Sequence, residues 1–306
     1  MNQDRPDVTA GTEGVLAAAG AFVLWGLLPV YWKALGAFGP VEIIAHRIVW
    51  SLALTAALVS MRGSWSGIGR VLRSRRDAPR LAASAALLSA NWLLYVWGVN
   101  TGRVLETSLG YYVTPLANVA LGTLFLGERL RRLQVAALLL AAAGVLNQIA
   151  AHGRFPWIAL GLAGTFSLYG LLRKTATLDS LPGLAAETAL LTIPAAAYLA
   201  ALAAGGGGAV GHAGLAGHLL LAGTGVVTAV PLLLFAHGAR RVRLTTVGIL
   251  QYLAPTGTFL LGVLLYREPF DRTRLVTFVL IWAAVAIYAA DALARARRGN
   301  RRAGRG

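Results

Sequence analysis

The 306-residue chain has no cysteine. That excludes disulfide frameworks and thiolate metal sites. Charge is scarce: 13% of residues are charged, where a soluble domain carries about 25%. Lysine occurs only at Lys33 and Lys174, so nearly all the positive charge is arginine. There is no Walker motif, hence no ATP drive within the chain. There is no H-E-x-x-H and no aspartate-rich metal motif, which argues against a membrane protease or prenyl transferase. One phosphate-loop match exists: "GGGGAVG" at 205–211 satisfies G-x-G-x-x-G through Gly206, Gly208 and Gly211. No strand pattern precedes it and no βα unit follows, so it reads as a loop. No cofactor and no metal is expected. The polar start "MNQDRPDVTAGTEG" lacks a basic n-region, so the first apolar run is expected to stay as a helix.

What remains is apolar. Hydrophobic residues make up 57% of the chain, and mean hydropathy is +0.65 over the whole length. No segment of soluble-domain size is left between the apolar runs. Ten runs recur, at about 14–32, 41–60, 82–99, 104–126, 133–150, 157–172, 183–203, 218–237, 244–265 and 275–291. Each is roughly 25–32 Å long at about 1.5 Å per residue, enough to cross a bilayer core. There is no alternating pattern for a barrel, so the spans are helices. The expected fold class is an all-α membrane protein with ten transmembrane helices.

The net charge of +16 does not mark a nucleic-acid binder, because the arginines sit in short loops and the tail. With the N-terminus inside, 21 of the 28 Lys and Arg fall on the cytoplasmic side and six on the other; Arg47 lies within a span. Both termini are therefore placed in the cytoplasm. The three arginines of "YREPFDRTR" run against the trend.

The chain also repeats itself. At a shift of 140 residues, Gly98 meets Gly238, Arg103 meets Arg243, Tyr112 meets Tyr252, Pro115 meets Pro255, Gly122 meets Gly262 and Glu128 meets Glu268. At a shift of 144, "GAFVLWGLL" from Gly20 meets "GTFSLYGLL" from Gly164. Each half, 1–150 and 151–306, holds five spans, the second ending in a basic cytoplasmic tail. An odd number of spans makes the second copy enter from the opposite side. Inverted five-helix repeats are the architecture of secondary transporters, with the solute near the midplane.

Polar residues in the spans are the candidate site. Thr107, Tyr111, Thr114 and Asn118 share a face of span 4; Gln251, Pro255, Thr258 and Gly262 share one of span 9. Tyr252 is the repeat counterpart of Tyr112. Span 3 adds Asn91 and Tyr95, with Trp92 as an aromatic wall. Helix–helix hydrogen bonding is the competing reading of these stripes. Pro115 and Pro255 are read mid-helix, as tolerated kinks or as hinges. In span 2, Glu42, His46 and Arg47 interrupt the apolar run "PVEIIAHRIVWSLALTAALVS". Intramembrane charges face the bundle and pair. Arg47 is expected to pair with Glu106, with Glu42 as second choice, at a gate or solute contact or as a structural pair. His46 is a titrating group or a satisfied structural histidine. Glu128 and Glu268 are read as helix-end anchors. Glu187 is read as a carboxylate snorkelling to the cytoplasmic surface, with proton carriage the alternative.

Five stretches carry a resemblance: "GLLPVYWK", "EIIAHRIVWS", "NWLLYVWGVNTGRVLETSLGYYVTPL", "LYGLLRK" and "PLLLFAHGARRVRLTTVGILQYLAPT". Together they resemble RarD-type proteins of the EamA family, in the drug/metabolite transporter superfamily. The resemblance covers nearly the whole chain. It implies ten helices, a cytoplasmic-membrane location and transport of a small organic solute, often outward. At 114 it would place an asparagine, where this chain has threonine. The expected function is a secondary transporter, an exporter in the family's sense, driven by a proton or substrate gradient. The alternatives are a non-transporting sensor or subunit, and a membrane enzyme acting on a lipid-linked substrate. The expected partners are a small-molecule solute and the lipid bilayer, with no nucleic acid.

Overall fold

Apolar runs without strand alternation should satisfy their own backbone as helices, and they do. A computed structural model describes residues 8–63, 65–126, 131–152, 155–174, 176–209, 213–239 and 250–303. Every regular element among them is helical: α1 Val8–Ala34, α2 Pro40–Met61, α3 Trp65–Arg73, α4 Asp77–Asn100, α5 Val104–Leu126, α6 Arg132–His152, α7 Trp157–Lys174, α8 Ser180–Ala204, α9 Leu215–Ala239, α10 Leu253–Leu260 and α11 Arg272–Ala303. A π turn, Leu261–Leu265, continues α10. Among the described residues, seven helices are long and apolar enough to cross a membrane, and two more apolar helices are shorter. Large side chains such as Leu16, Leu139, Leu146, Ile193, Leu219 and Leu264 are exposed on them, as lipid-facing surfaces require. The chain is an all-α, multi-pass membrane protein.

Three differences from the sequence reading have local causes. The loop after α2 contains a short helix, α3, whose Ile68 and Val71 are buried; amphipathic segments this short carry no hydropathy signal. The basic tail is helical as far as Ala303. The ninth span is interrupted: residues 251–252 form a turn and α10 begins at Leu253. Pro255 therefore lies in a first turn, not mid-helix. Its ring would clash with the carbonyl of residue 251 in a continuous helix. Pro115 does lie inside α5. Residues 244–249 of that span, Glu128 and Gly211 are outside the described residues.

Contacts divide the chain into two units, each drawn from both halves of the sequence. One comprises residues 1–27, 103–167 and 234–306; the other, residues 28–102 and 168–233. In the first unit α6 packs along α11 and α5 packs on α10. Its core holds Leu109, Tyr112, Leu116, Ala141, Phe278 and Ile281. Asn147 crosses from α6, its Nδ2 donating to Thr273 O at 3.1 Å and Thr277 Oγ1 at 3.0 Å. In the second unit α2 packs along α8, with α4 against both. There Val59, Ile68, Val71, Leu81, Ala185 and Ala186 form a core.

Candidate functional site

In the second unit a charged side chain is buried among aromatic faces. Arg47 is 5% exposed. Its guanidinium carbon lies 3.9 Å from the ring centroid of Trp92 on α4 and 5.0 Å from that of Trp32 on α1. Such stacking is worth about 0.5–2 kcal/mol per face, more when desolvated. Arg47 Nε donates to Thr228 Oγ1 of α9 at 2.9 Å, and Thr228 in turn donates to Thr224 O. Trp32 Nε1 and Ser51 Oγ, both fully buried, have no hydrogen-bond partner among the described residues. The surroundings thus combine a cation, two indole faces and two unmatched polar atoms. Asn91 and Tyr95, on α4 with Trp92, are buried as well.

The carboxylates expected beside Arg47 each have a backbone partner. Glu42 Oε1 accepts the Ala209 N–H at 2.6 Å. The glycine loop supplies that N–H. Gly206 and Gly208 have φ of 72° and 78°, and a Cβ on Gly208 would stand 2.7 Å from Glu42 Oε1. The phosphate-loop look-alike therefore cradles a carboxylate of the chain itself. Glu106 belongs to the first unit. It accepts the Ile158 N–H at 3.3 Å, at the start of α7, and lies 4.0 Å from Arg103. Arg47 and Glu106, expected to pair, fall in different units, and the partners described for each lie within its own. Glu268 accepts the N–H groups of Val104 at 2.6 Å and Leu105 at 2.9 Å. The first N–H groups of a helix have no intrahelical acceptor and favour negative charge; Glu106 and Glu268 satisfy such groups, and Glu42 a loop N–H. His46 is half-buried on α2.

In the first unit the two polar stripes are placed as follows. Thr107, Thr114 and Thr258 are buried, Tyr111 and Gln251 half-buried, and Asn118 exposed. Thr114 Oγ1 donates to Gly110 O of its own helix, and Thr258 Oγ1 to Gly26 O at 3.4 Å. Tyr111 meets Phe166 edge-on. The α5–α10 seam is closed by neighbouring residues instead. Ser108 donates to Pro255 O at 2.8 Å, Tyr112 and Thr256 share a hydrogen bond of 2.6 Å, and Tyr112 stacks on Tyr252 with centroids 6.4 Å apart. The two tyrosines that matched in the repeat thus touch each other.

Sequence reasoning missed Trp32 and Thr228. The signal for the second was present: Thr224 and Thr228 form an i,i+4 pair in "TGVVTAV". It also misplaced Glu187. This residue does not snorkel; it is fully buried, because Ser84, Tyr169 and Arg173 give it partners inside the unit.

The profile of the EamA-like transporter family matches residues 12–147. A protein named RarD from Streptomyces exfoliatus is 46% identical over 290 residues, covering 94% of this chain and 92% of its own. The chain belongs to the RarD-type proteins of the EamA-like transporter family. A Bacillus subtilis (strain 168) protein named as the uncharacterized transporter YojE is 44% identical over 280 residues, covering 90% of this chain and 93% of its own. A solved crystal structure 23% identical in sequence shares the fold, with a TM-score of 0.57 over 92% of this chain and 98% of its own.

Proposed function

We propose that this EamA-family chain is a secondary transporter that exports a small organic solute across the cytoplasmic membrane. Both termini lie in the cytoplasm, and access alternates between two inverted five-helix repeats, 1–150 and 151–306. The repeat reading is supported by which helices meet: α2 with α8, α5 with α10, and α6 with α11. Each is a pair of repeat counterparts, as elements beside a pseudo-two-fold axis would be.

The observation that carries the function is Arg47, a cation buried between Trp32 and Trp92 within an apolar helical unit. A charge there is costly unless it is paired or faces a wet or polar cavity. Cation, indole faces and a free indole N–H suit a solute that joins a flat apolar body to an acidic or acceptor group. Arg47, Trp92, Asn91 and Tyr95 are the proposed solute contacts of the second unit. Tyr111, Thr114, Asn118, Gln251, Tyr252 and Thr258 are those of the first. Glu42, His46, Glu106, Pro115 and Pro255 take gating or positioning roles. A membrane enzyme is the less favoured reading: among the described residues the groups shown at Arg47 are two indoles and a threonine hydroxyl, which suit binding.

The test is export from proteoliposomes loaded with a bacterial metabolite extract, with released compounds read by mass spectrometry. Wild type should release a restricted set, and Arg47→Ala, folded by circular dichroism, should release it at least about tenfold more slowly, the loss of roughly 1.4 kcal/mol. Equal release by the two proteins refutes the role of Arg47. No release above empty vesicles refutes transport.

A further inference from the structure

A second polar cluster lies in the second unit, around α8. Glu187 has no exposed surface. Its Oε1 accepts from Ser84 Oγ of α4 at 2.5 Å, and its Oε2 from Tyr169 Oη of α7 at 3.3 Å. Arg173 Nη1 stands 3.8 Å from Oε1. Among the described residues, Arg173 is the one charged group acting on Glu187; the core beside Ala185 and Ala186 takes Val59 from α2 and Ile68 and Val71 from α3, while Arg70 and Arg73 of α3 are exposed.

The partners of Glu187 differ in kind from those of Glu42, Glu106 and Glu268. Those three accept from backbone N–H groups, which can only donate and so require a lone pair opposite them. Ser84 and Tyr169 are hydroxyls, which donate or accept. Ser84 already has its alternative: Oγ lies 3.2 Å from Leu81 O. When a proton adds to Glu187 Oε1, Ser84 turns its hydrogen to Leu81 O and accepts the new O–H. Tyr169 goes on donating to Oε2. Arg173 keeps its charge and is still held, because Nη2 donates to Leu178 O and Asp179 O, each at 3.1 Å. Each carboxyl oxygen thus keeps a hydrogen-bond partner in both the neutral and the ionised state.

A small cavity is lined by Asp77, Arg80, Ser84, Arg173 and Thr177. Two of these touch Glu187, and Arg80 and Thr177 are exposed. Gly183 makes room for the guanidinium: a Cβ there would collide with Arg173. This is the end of the unit where the arginine-rich 61–81 segment lies, which the loop charges assign to the cytoplasm.

We propose that Glu187 is the proton-binding site of this protein, loaded through the cavity edged by Asp77, Arg80 and Arg173, and that it couples solute movement to the proton gradient. The coupling rests on the transport reading; the proton site does not, and the experiment separates them. Full-length protein in nanodiscs is titrated from alkaline to acidic buffer by infrared difference spectroscopy, in H2O and D2O, with no solute present. A protonated-carboxyl band should appear on acidification, shift in D2O, vanish in Glu187→Gln and persist in Glu106→Gln. Ser84→Ala, which keeps the carboxyl, should move the band to higher frequency through loss of one hydrogen bond. It serves as the test if Glu187→Gln does not fold. A band unchanged in Glu187→Gln, or unmoved in Ser84→Ala, overturns the site. In vesicles loaded with the metabolite extract, wild-type release should respond to an imposed proton gradient. Glu187→Gln should release the same compounds but lose that response; an equal response overturns the coupling. Vesicles that release nothing, with the band still dependent on Glu187, count against transport and leave the proton site standing.

Discussion

Replacing Glu268 by alanine should be among the most destabilising single changes in the first unit. The residue is 8% exposed and bonds two N–H groups, those of Val104 and Leu105, which are 0% and 2% exposed. They open α5 and have no acceptor within it. A hydrogen bond to a charged group is worth about 1.5–3 kcal/mol, and a buried donor left unmatched costs a similar amount. Two such bonds, partly coupled, give an expected loss of about 3–5 kcal/mol. Glu268→Gln keeps one acceptor oxygen and should lose about half of that. The assay is denaturant unfolding in mixed micelles, followed by tryptophan fluorescence and evaluated at constant slope. An alanine variant within about 0.5 kcal/mol of wild type, the range of an ordinary surface change, would refute capping. So would a glutamine variant as unstable as alanine, since pairing by charge alone would then be the role.

Other outcomes follow from the same contacts. Arg267, next to Glu268, holds φ at 50°, alone among the described non-glycine residues; that conformation costs about 1–2 kcal/mol. Arg267→Gly should therefore stabilise by roughly 0.5–1 kcal/mol after the entropy of glycine is deducted, read as a shift in unfolding midpoint. Gly208→Ala should destabilise by about 1–2 kcal/mol, because φ is 78° and the new Cβ meets Glu42 and Leu202; a neutral effect would mean Glu42 does not rest on that loop. Arg47→Lys keeps the charge but loses the planar stack on Trp92 and the Nε bond to Thr228. Lysine is not a substitute at a stacked site, so release from loaded vesicles should fall nearly as far as with alanine, and wild-type release would leave only the charge as relevant.

Much of the scaffold is legible in the sequence. Apolar run length is set by bilayer thickness, so the positions of α2, α4, α5 and α6 follow from hydropathy to within a few residues. Repeat matching paired Tyr112 with Tyr252, and the two rings stack. Partner choice was not legible. Arg47 is 181 residues from Thr228, and Glu268 is 164 from Val104; only packing decides which helix faces which. Charge complementarity suggested Glu106 for Arg47, but backbone N–H groups compete for carboxylates, and no sequence pattern marks which helix start is unsatisfied. Glu187 was misread for the same reason: its hydroxyl partners lie on α4 and α7, and each looks like an ordinary serine or tyrosine in an apolar run.

The stacked tyrosines offer a test of whether the α5–α10 seam serves the fold alone. Their environments are unequal although their positions match. Tyr112 bonds Thr256 at 2.6 Å. The repeat counterpart of Thr256 is Leu116, which has no hydroxyl. Tyr252 Oη is buried and makes no well-formed hydrogen bond among the described residues, the adjoining Gln251 side chain being only a weak partner. Removing an unmatched buried hydroxyl relieves a penalty of about 1–3 kcal/mol, while removing a matched one loses about 1 kcal/mol. Tyr252→Phe should therefore stabilise the empty protein by about 1 kcal/mol or more, and Tyr112→Phe should destabilise it by about 1 kcal/mol. Under the proposed function the hydroxyl is kept for the solute, which would be its acceptor. The stabilised Tyr252→Phe variant should then release solute more slowly from loaded vesicles, as in a stability–activity trade-off. If it is stabilised and releases at the wild-type rate, Tyr252 is not a solute contact, and the seam is packing alone.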